Sequence, residues 1–311
     1  MLPDKGIPRP NDSANGVKIW PDNFGNVGGQ GDLMPVWLAL RESYNTIAIR
    51  VAQMLTVPVC YNHLIQDLGF TTLVEEDMDF SPVTLGAFTN GVKLVELAAA
   101  YQPIGNGGVY YEPKLYSKVV DSKNNVILQQ DFYGTQALDS DAAWITNRMM
   151  RNVVTSYTTA GRFANLPNVE VIGKTGTSND RHNLLFVGCT PNYIGVVWMG
   201  YDQNNHYIAN SDTNHIYPAQ VWRKIMEQAE SNATITKFTP DANVVERKYC
   251  TETGLLASSN CTTTDIGYYR KENIPSFCSG NHIDETNNIK QKWELIDSEN
   301  EQKVLDALPR W

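Results

Sequence analysis

Apolar residues recur with the spacing of an amphipathic helix in four segments of the chain. Ile47, Val51 and Leu55 follow one another at intervals of four after a polar break, and Asn45 lies where a capping residue belongs. Three further helices are predicted over residues 92–101, 140–154 and 218–230. Their inward-facing residues are predicted to be Trp144, Ile145, Met149 and Val153 in the 140–154 helix, and Trp222, Ile225 and Met226 in the 218–230 helix.

Shorter runs rich in β-branched and aromatic residues predict strands between these helices. Residues 109–128 predict a hairpin with its turn at 121–125. Three more strands are predicted over residues 169–177, 184–190 and 193–201. Because only Pro191 and Asn192 separate the last two, we expect a tight antiparallel turn and a meander, with the 218–230 helix packed back across it.

The two ends of the chain lack such periodicity. Residues 1–31 are rich in Pro, Asn, Asp and Gly, which predicts an irregular loop. After Ser231 apolar runs are sparse, and three of the five cysteines occur there. We therefore expect a main domain over residues 1–230 and a small Cys-containing extension over residues 231–311.

Composition limits the classes of function that this sequence can have. The 311 residues are 42% hydrophobic and 19% charged, which is ordinary for a globular protein. The net charge is -9 and the Lys and Arg residues are dispersed, so a nucleic-acid partner is not expected. We predict no targeting segment in this chain, since no stretch has the apolar length of a membrane span and no signal sequence follows Met1.

The most informative chemistry lies in the predicted strand at 169–177, which contains the tetrapeptide Lys-Thr-Gly-Thr at 174–177. A lysine and two threonine hydroxyls can hold an anion, most naturally a carboxylate, and Gly176 removes a side chain where a ligand can approach the backbone. A phosphate loop is the alternative for Gly-Lys-Thr. That loop requires a glycine at position 168, where this chain has Asn168, so the spacing fails.

Penicillin-recognising enzymes combine Lys-Thr-Gly with two other motifs, Ser-x-x-Lys and a Ser-x-Asn type motif. Ser43-Tyr44-Asn45 supplies the second of these. No serine in the 311 residues is followed by a lysine three positions later, so the first is absent.

With these motifs in this order, the chain resembles the C-terminal part of the transpeptidase domain of a class A penicillin-binding protein. The similarity covers roughly residues 20–226. It rests on the segments 38–45, 96–101 with 106–109, 173–180, 186–191 and 197–202. The resemblance implies an α/β fold of the α+β type, with the antiparallel sheet flanked by helices that penicillin-binding proteins share with serine β-lactamases, incomplete on its N-terminal side. Residues 1–230 would then be the C-terminal part of the transpeptidase domain.

The same resemblance implies a D,D-transpeptidase that cross-links peptidoglycan stem peptides ending in D-Ala-D-Ala by serine acyl transfer, and that binds β-lactams. Ser43 would relay a proton to the leaving nitrogen, and Asn45 would hydrogen-bond the amide of the substrate. No cofactor is implied. The location implied is the extracytoplasmic face of the bacterial membrane, with a membrane anchor in full-length members of the family.

The tetrapeptide also receives roles from the resemblance. Lys174 and Thr175 would anchor the terminal carboxylate of the substrate, and Gly176 would let the substrate lie along the strand as an added strand. Thr177 would add a hydroxyl and a backbone N–H, and that N–H would form one half of an oxyanion hole.

The absent nucleophile motif leaves the state of this chain open. In the family it would fall just ahead of Met1, so we interpret the chain as a fragment that does not react with β-lactams and whose strand at 193–201 forms an open sheet edge. A split protein and a non-catalytic pseudoenzyme that binds stem peptides are alternatives. A D,D-carboxypeptidase or a β-lactamase would use the same motifs with water as the acceptor.

The cysteines of the extension allow two interpretations. Cys250, Cys261, Cys278 and His282 are the right number of ligands for a structural zinc, but they lack a close Cys pair. Because the family acts outside the cytoplasm, we expect a Cys250–Cys261 disulfide with Cys278 left over, and no metal.

Overall fold

The secondary structure is given by a computed structural model that describes residues 1–11, 16–26, 28–29, 31–178, 181–201, 206, 208 and 214–307. The strands are β1 (Leu2–Pro3), β2 (Ile7–Asn11), β3 (Gly16–Trp20), β4 (Leu33–Met34), β5 (Val109–Tyr111), β6 (Lys118–Val120), β7 (Val126–Gln129), β8 (Gly134–Gln136), β9 (Ile172–Thr177), β10 (Asn183–Cys189), β11 (Ile194–Gly200), β12 (Val244–Cys250) and β13 (Thr264–Arg270). The helices are α1 (Val36–Glu42), α2 (Asn45–Leu55), α3 (Val57–Gln66), α4 (Phe80–Leu85), α5 (Leu94–Ala100), α6 (Gln102–Gly105), α7 (Ser140–Thr155), α8 (Tyr217–Ala229) and α9 (His282–Ala307).

The chain forms two units. The first consists of Met1–Cys60, Met78–Gly86 and Ala242–Trp311, and the second of Tyr61–Asp77 and Ala87–Asp241. The first unit therefore contains most of the predicted extension together with the start of the chain.

The loop predicted over residues 1–31 is wrong for three short segments of the first unit. β2 and β3 form an antiparallel hairpin, and β1 pairs with β4. Strand β2 was not predicted because it contains Pro8 and Pro10, which are uncommon in strands. Proline is tolerated in a strand that lies at an edge, and β2 pairs only with β3 in the part of the chain that is described.

The core of the first unit joins the start of the chain to its last helix. Its buried apolar side chains are Leu2, Ala39, Ile47 and Trp293, with Met34, Val36, Tyr44, Val51, Ile289 and Ile296 packed around them. Ile47 is buried as predicted, but Leu55 is 53% exposed. The buried face of α2 includes Arg50 instead.

Arg50 is fully buried, and the acceptors around its guanidinium group replace the hydrogen bonds that it would make to water. It forms a two-pronged ion pair with the carboxylate of Asp297, in which Nη2 lies 2.9 Å from Oδ2. It also donates to the carbonyl oxygens of Lys5 and Gly6, both at 2.9 Å. The Arg50 side chain therefore connects α2 to α9 through Asp297 and to the start of the chain through the carbonyls of Lys5 and Gly6.

Helix α9 was not predicted, although it runs for 26 residues. The sequence pattern that indicates this helix is weak. Ile289, Trp293 and Ile296 follow one another at intervals of four and three within an otherwise polar sequence. Among the described helices, none combines the length and the apolar character that a membrane span requires.

The second unit contains the predicted meander. Its strands are antiparallel and lie in the order β11-β10-β9, with Phe186 opposite both Val197 and Thr175. The predicted edge position of β11 is confirmed for the described residues. Helix α8 packs on this sheet through Trp222, which is buried, stacks edge-to-face on Phe186 at 5.5 Å and donates to the Gly195 carbonyl at 3.0 Å.

Two inward faces predicted for the second unit need correction. In α8, Trp222 and Met226 are buried but Ile225 is 53% exposed. In α7, only Val153 of the predicted face is buried. The other buried residues of α7 are Ala143, Asn147, Arg148, Met150 and Val154. Polar residues can occupy this face because the Asn147 amide donates to the Ile104 carbonyl and Arg148 pairs with Glu170.

The predicted hairpin at 109–128 is confirmed in part. β6 pairs with β7 across the predicted turn, whereas β5 pairs with β8, a strand that the sequence did not predict. β8 is the three-residue segment Gly-Thr-Gln, which is too short for a periodic signal.

Candidate active site

Ser43 and Asn45 flank the turn between two helices of the first unit. Ser43 ends α1 with φ 60° and ψ 44°, in the left-handed region, and its side chain is exposed. The N–H of Tyr44 donates to the Ala39 carbonyl at 2.9 Å, which closes the turn. A non-glycine residue in this conformation costs about 1–2 kcal/mol. Strain of this kind is concentrated at functional sites.

Asn45 is the first residue of α2 and not its cap, which is Tyr44. Its side-chain amide donates to the carbonyl of Asp22 at 3.0 Å. Asn45 and Ser43 are therefore held on a turn that is fixed by one backbone hydrogen bond and by one bond from the Asn45 side chain to a backbone carbonyl.

A buried polar network that the sequence did not predict supports this turn. The Asp4 carboxylate accepts hydrogen bonds from the Thr46 hydroxyl at 2.5 Å, the Asn23 amide at 2.8 Å and the backbone N–H of Gly29 at 2.8 Å. Asn23 in turn accepts from the N–H of Thr46, near the start of α2. The residues that these hydrogen bonds join lie 19 to 42 positions apart in the chain, so no local pattern could reveal the network.

The Lys-Thr-Gly-Thr tetrapeptide forms most of β9 in the second unit, at an edge of the described sheet. Lys174 is half-buried, and its ammonium group donates to the carbonyl of Thr175 at 3.1 Å. Burial lowers the pKa of Lys174 to about 8, so the group remains mostly protonated at pH 7. Thr177 is exposed at the end of the strand. Strand β9 therefore carries the ammonium group of Lys174 and the hydroxyl groups of Thr175 and Thr177 at this edge of the sheet.

The two glycines of β9 differ in what surrounds them. A Cβ at Gly173 would lie 2.5 Å from the Phe186 ring and 2.7 Å from the Val187 carbonyl oxygen, so packing requires glycine there. A Cβ at Gly176 would meet only the Leu185 side chain, at an ordinary 3.5 Å. Neither packing nor a positive φ explains Gly176. The bare backbone at this position is available to a ligand.

Lys174→Met is expected to stabilise the chain below pH 8. The ordinary pKa of 10.5 falls to about 8 in the folded state, so the charged lysine is disfavoured there by up to about 3 kcal/mol. The folded state loses its proton first, and wild-type stability should therefore rise between about pH 8 and pH 10.5. Denaturant unfolding of both chains from pH 7 to pH 10.5 measures this. A stability difference that does not change over that range would contradict the assignment.

Cys250 and Cys261 are not joined by a bond in this structure, and their pairing as a disulfide stays a prediction. Their sulfur atoms belong to a close group that also contains Cys278 and His282. The thiol of Cys278 and the imidazole of His282 therefore lie beside the two sulfur atoms that were predicted to form the disulfide.

Three residues of the predicted motifs lie outside the described residues. They are Asn179 and Asp180, which follow the tetrapeptide, and Asp202, which follows β11.

Comparisons with known proteins agree with the fold described above. Residues 4–227 match the family model of the penicillin binding protein transpeptidase domain. Penicillin-binding protein 1A of Clostridium acetobutylicum is 32% identical over 233 residues, which cover 75% of this chain and 28% of that protein. The crystal structure of penicillin-binding protein 1A from Haemophilus influenzae superposes with a TM-score of 0.72 at 20% identity, over 88% of this chain and 45% of that one.

This chain belongs to the penicillin-binding protein transpeptidase family, which is a family of enzymes. The predicted α+β fold is confirmed, since the solved neighbours are penicillin-binding proteins and the described chain combines helices with strands. The chain spans about 28% of the length of the clostridial relative.

Proposed function

We propose that this chain contributes the substrate-anchoring part of a D,D-transpeptidase that cross-links peptidoglycan stem peptides by serine acyl transfer. The observation that carries the proposal is β9, where the half-buried Lys174 cation lies two residues from Gly176, whose backbone is not covered by a side chain of its own. An extended peptide can add to such an edge as a further strand. Its terminal carboxylate then receives charge-assisted hydrogen bonds.

Each remaining residue has a role in this proposal. Thr175 and Thr177 donate hydroxyl hydrogen bonds to the substrate carboxylate, and the N–H of Thr177 forms one half of the oxyanion hole. Ser43 relays a proton to the leaving nitrogen, and Asn45 hydrogen-bonds the substrate amide. The strained turn at Ser43 supports a functional role for that residue.

β-lactams are the second class of ligand that we propose for the complete site. PonA1 of Mycobacterium tuberculosis, a structural neighbour with a TM-score of 0.61 and 19% identity, has been solved in complex with penicillin V. A β-lactam carries a carboxylate beside its reactive carbonyl, so the anchor that holds a stem peptide also fits the drug.

Location and domain boundaries belong to the same proposal. A transpeptidase acting on the cell wall works at the extracytoplasmic face of the bacterial membrane, where we propose that the full-length protein is anchored. The family match ends at residue 227. This supports residues 1–230 as transpeptidase sequence and residues 231–311 as an extension.

A fluorescent penicillin tests the catalytic part of the proposal. Because no serine in the 311 residues has a lysine three positions later, we expect no covalent labelling of this chain alone. A complete relative such as the clostridial protein 1A serves as the positive control. Rapid labelling of this chain, abolished by heat denaturation before the drug is added, would contradict the expectation.

A non-catalytic stem-peptide-binding protein is the second candidate, and the absence of Ser-x-x-Lys favours it. Both candidates require peptide binding at β9. They differ in the acyl ester, which only a chain that is supplied with the nucleophile motif can form. Labelling that appears when this chain is fused behind a Ser-x-x-Lys segment of a relative identifies the transpeptidase.

A further inference from the structure

Four side chains of the extension converge although they come from three separate segments. The sulfur atoms of Cys250, Cys261 and Cys278 and a ring nitrogen of His282 all lie within 4.8 Å of one another. The Cys250 sulfur is 3.7 Å from His282 Nε2. Ligands at 2.0–2.3 Å around a tetrahedral zinc are separated by roughly 3.5–3.8 Å. We propose that these four residues bind one structural zinc ion.

The backbone brings the first and third ligands together through one residue. Leu256 pairs with Tyr249 on one side and with Phe277 on the other. Cys250 and Cys278 are the next residues along these two segments, and their sulfur atoms lie within 4.8 Å of each other. The N–H of Cys278 donates to the Leu256 carbonyl at 2.8 Å, which fixes this arrangement. Backbone pairing through Leu256 thus brings together two cysteine-containing segments that are distant in the sequence.

The histidine is oriented as a metal ligand usually is. The carboxylate of Glu252 lies 3.1 Å from His282 Nδ1, so that Nε2 is the nitrogen that faces the sulfur atoms. A carboxylate that accepts from the outer nitrogen fixes the tautomer and raises the basicity of the ligand nitrogen. A disulfide would give neither Glu252 nor His282 a function.

Two of the sulfur atoms also have polar partners outside the cluster. The backbone N–H of Ser258 donates to the Cys261 sulfur at 3.4 Å, an interaction suited to a thiolate. Cys278 lies 3.1 Å from the carboxylate of Glu285 in the first turn of α9. Zinc binding would displace the thiol proton, which Glu285 can accept.

The site would join the end of the β12–β13 hairpin to the start of α9. His282 is the first residue of that helix, and Cys250 is the last residue of β12. Trp293 and Asp297, further along α9, contact α2, which begins at Asn45. Zinc would thereby stabilise the helix that packs behind the Ser-x-Asn turn.

Metal analysis of the whole chain tests the proposal. After expression with zinc, purification under reducing conditions and dialysis, we expect one zinc per chain by plasma mass spectrometry. Cys261→Ser and His282→Asn should each lose most of it. Cys60→Ser is the matched control, because it removes a thiol outside the cluster and should retain full zinc.

Cobalt and a carboxylate variant keep the test decisive if a ligand variant fails to fold. Co²⁺ added to the metal-free wild-type chain should give the visible absorption of a tetrahedral thiolate site and be displaced by zinc. Glu252→Gln should bind zinc about 10- to 100-fold more weakly with unchanged stoichiometry. Absence of zinc and of cobalt absorption in the folded chain would overturn the proposal. So would thiols of Cys250 and Cys261 that resist alkylation until a reductant is added, since that outcome identifies a disulfide.

Discussion

Replacing Arg50 with methionine is expected to lower the free energy of unfolding by about 4 kcal/mol. Arg50 is fully buried and supplies the donors for the Asp297 carboxylate and for two backbone carbonyls. Methionine fills part of the space but donates nothing. The variant therefore leaves the largely buried Asp297 carboxylate with only the Lys5 ammonium group, at 3.9 Å, and removes the Arg50 donor from the two backbone acceptors. Urea unfolding followed by circular dichroism measures the change.

Lys5→Met is the matched control for this prediction. Lys5 also approaches the Asp297 carboxylate, at 3.9 Å, but its side chain is 44% exposed. An exposed pair of this kind contributes less than about 1 kcal/mol. If both variants lost the same stability, the buried pair would not be what holds α9 to α2.

Alanine at the two glycines of β9 is expected to separate packing from ligand binding. Gly173→Ala should cost about 3 kcal/mol of stability, because its Cβ would overlap the Phe186 ring and the Val187 carbonyl oxygen. Gly176→Ala should leave stability within about 0.5 kcal/mol, since its Cβ meets Leu185 at an ordinary distance. The same methyl group lies where the ligand backbone must approach. We expect it to weaken peptide binding at least about tenfold, or 1.4 kcal/mol.

Thermal unfolding and peptide titration of both variants provide the measurement. The expected pattern is reciprocal: Gly173→Ala unfolds at a lower temperature, whereas Gly176→Ala melts like the wild type but binds weakly. Unchanged binding by Gly176→Ala would mean that no ligand lies along this strand.

The elements that carry the motifs could be predicted because their signals are local. The strands β9, β10 and β11 are short β-branched runs with a two-residue turn, and α8 has the period of a helix. Exact faces were less predictable. Ile225 has helical spacing from Trp222 yet is exposed, because the sheet covers only part of that helix.

Features that depend on distant residues could not be predicted. The Asp4 network joins positions up to 42 apart, and the cluster of thiols depends on Leu256 pairing with two strand segments at once. The resemblance to an extracytoplasmic family favoured a disulfide, and the lack of a close Cys pair in the sequence counted against zinc. Only the fold places a third cysteine and a histidine beside the first two.

The most direct test of the central claim is an NMR titration of the chain with an acylated peptide ending in D-Ala-D-Ala. The matched ligand is the same peptide with its C-terminal carboxylate converted to an amide. We expect the acid to shift the backbone signals of Thr175 and Thr177 and to bind about ten- to a hundredfold more tightly than the amide, as charge-assisted hydrogen bonds to Lys174 require. Equal binding of the acid and the amide, or shifts confined to residues outside β9, would contradict the assignment of this strand as a carboxylate anchor.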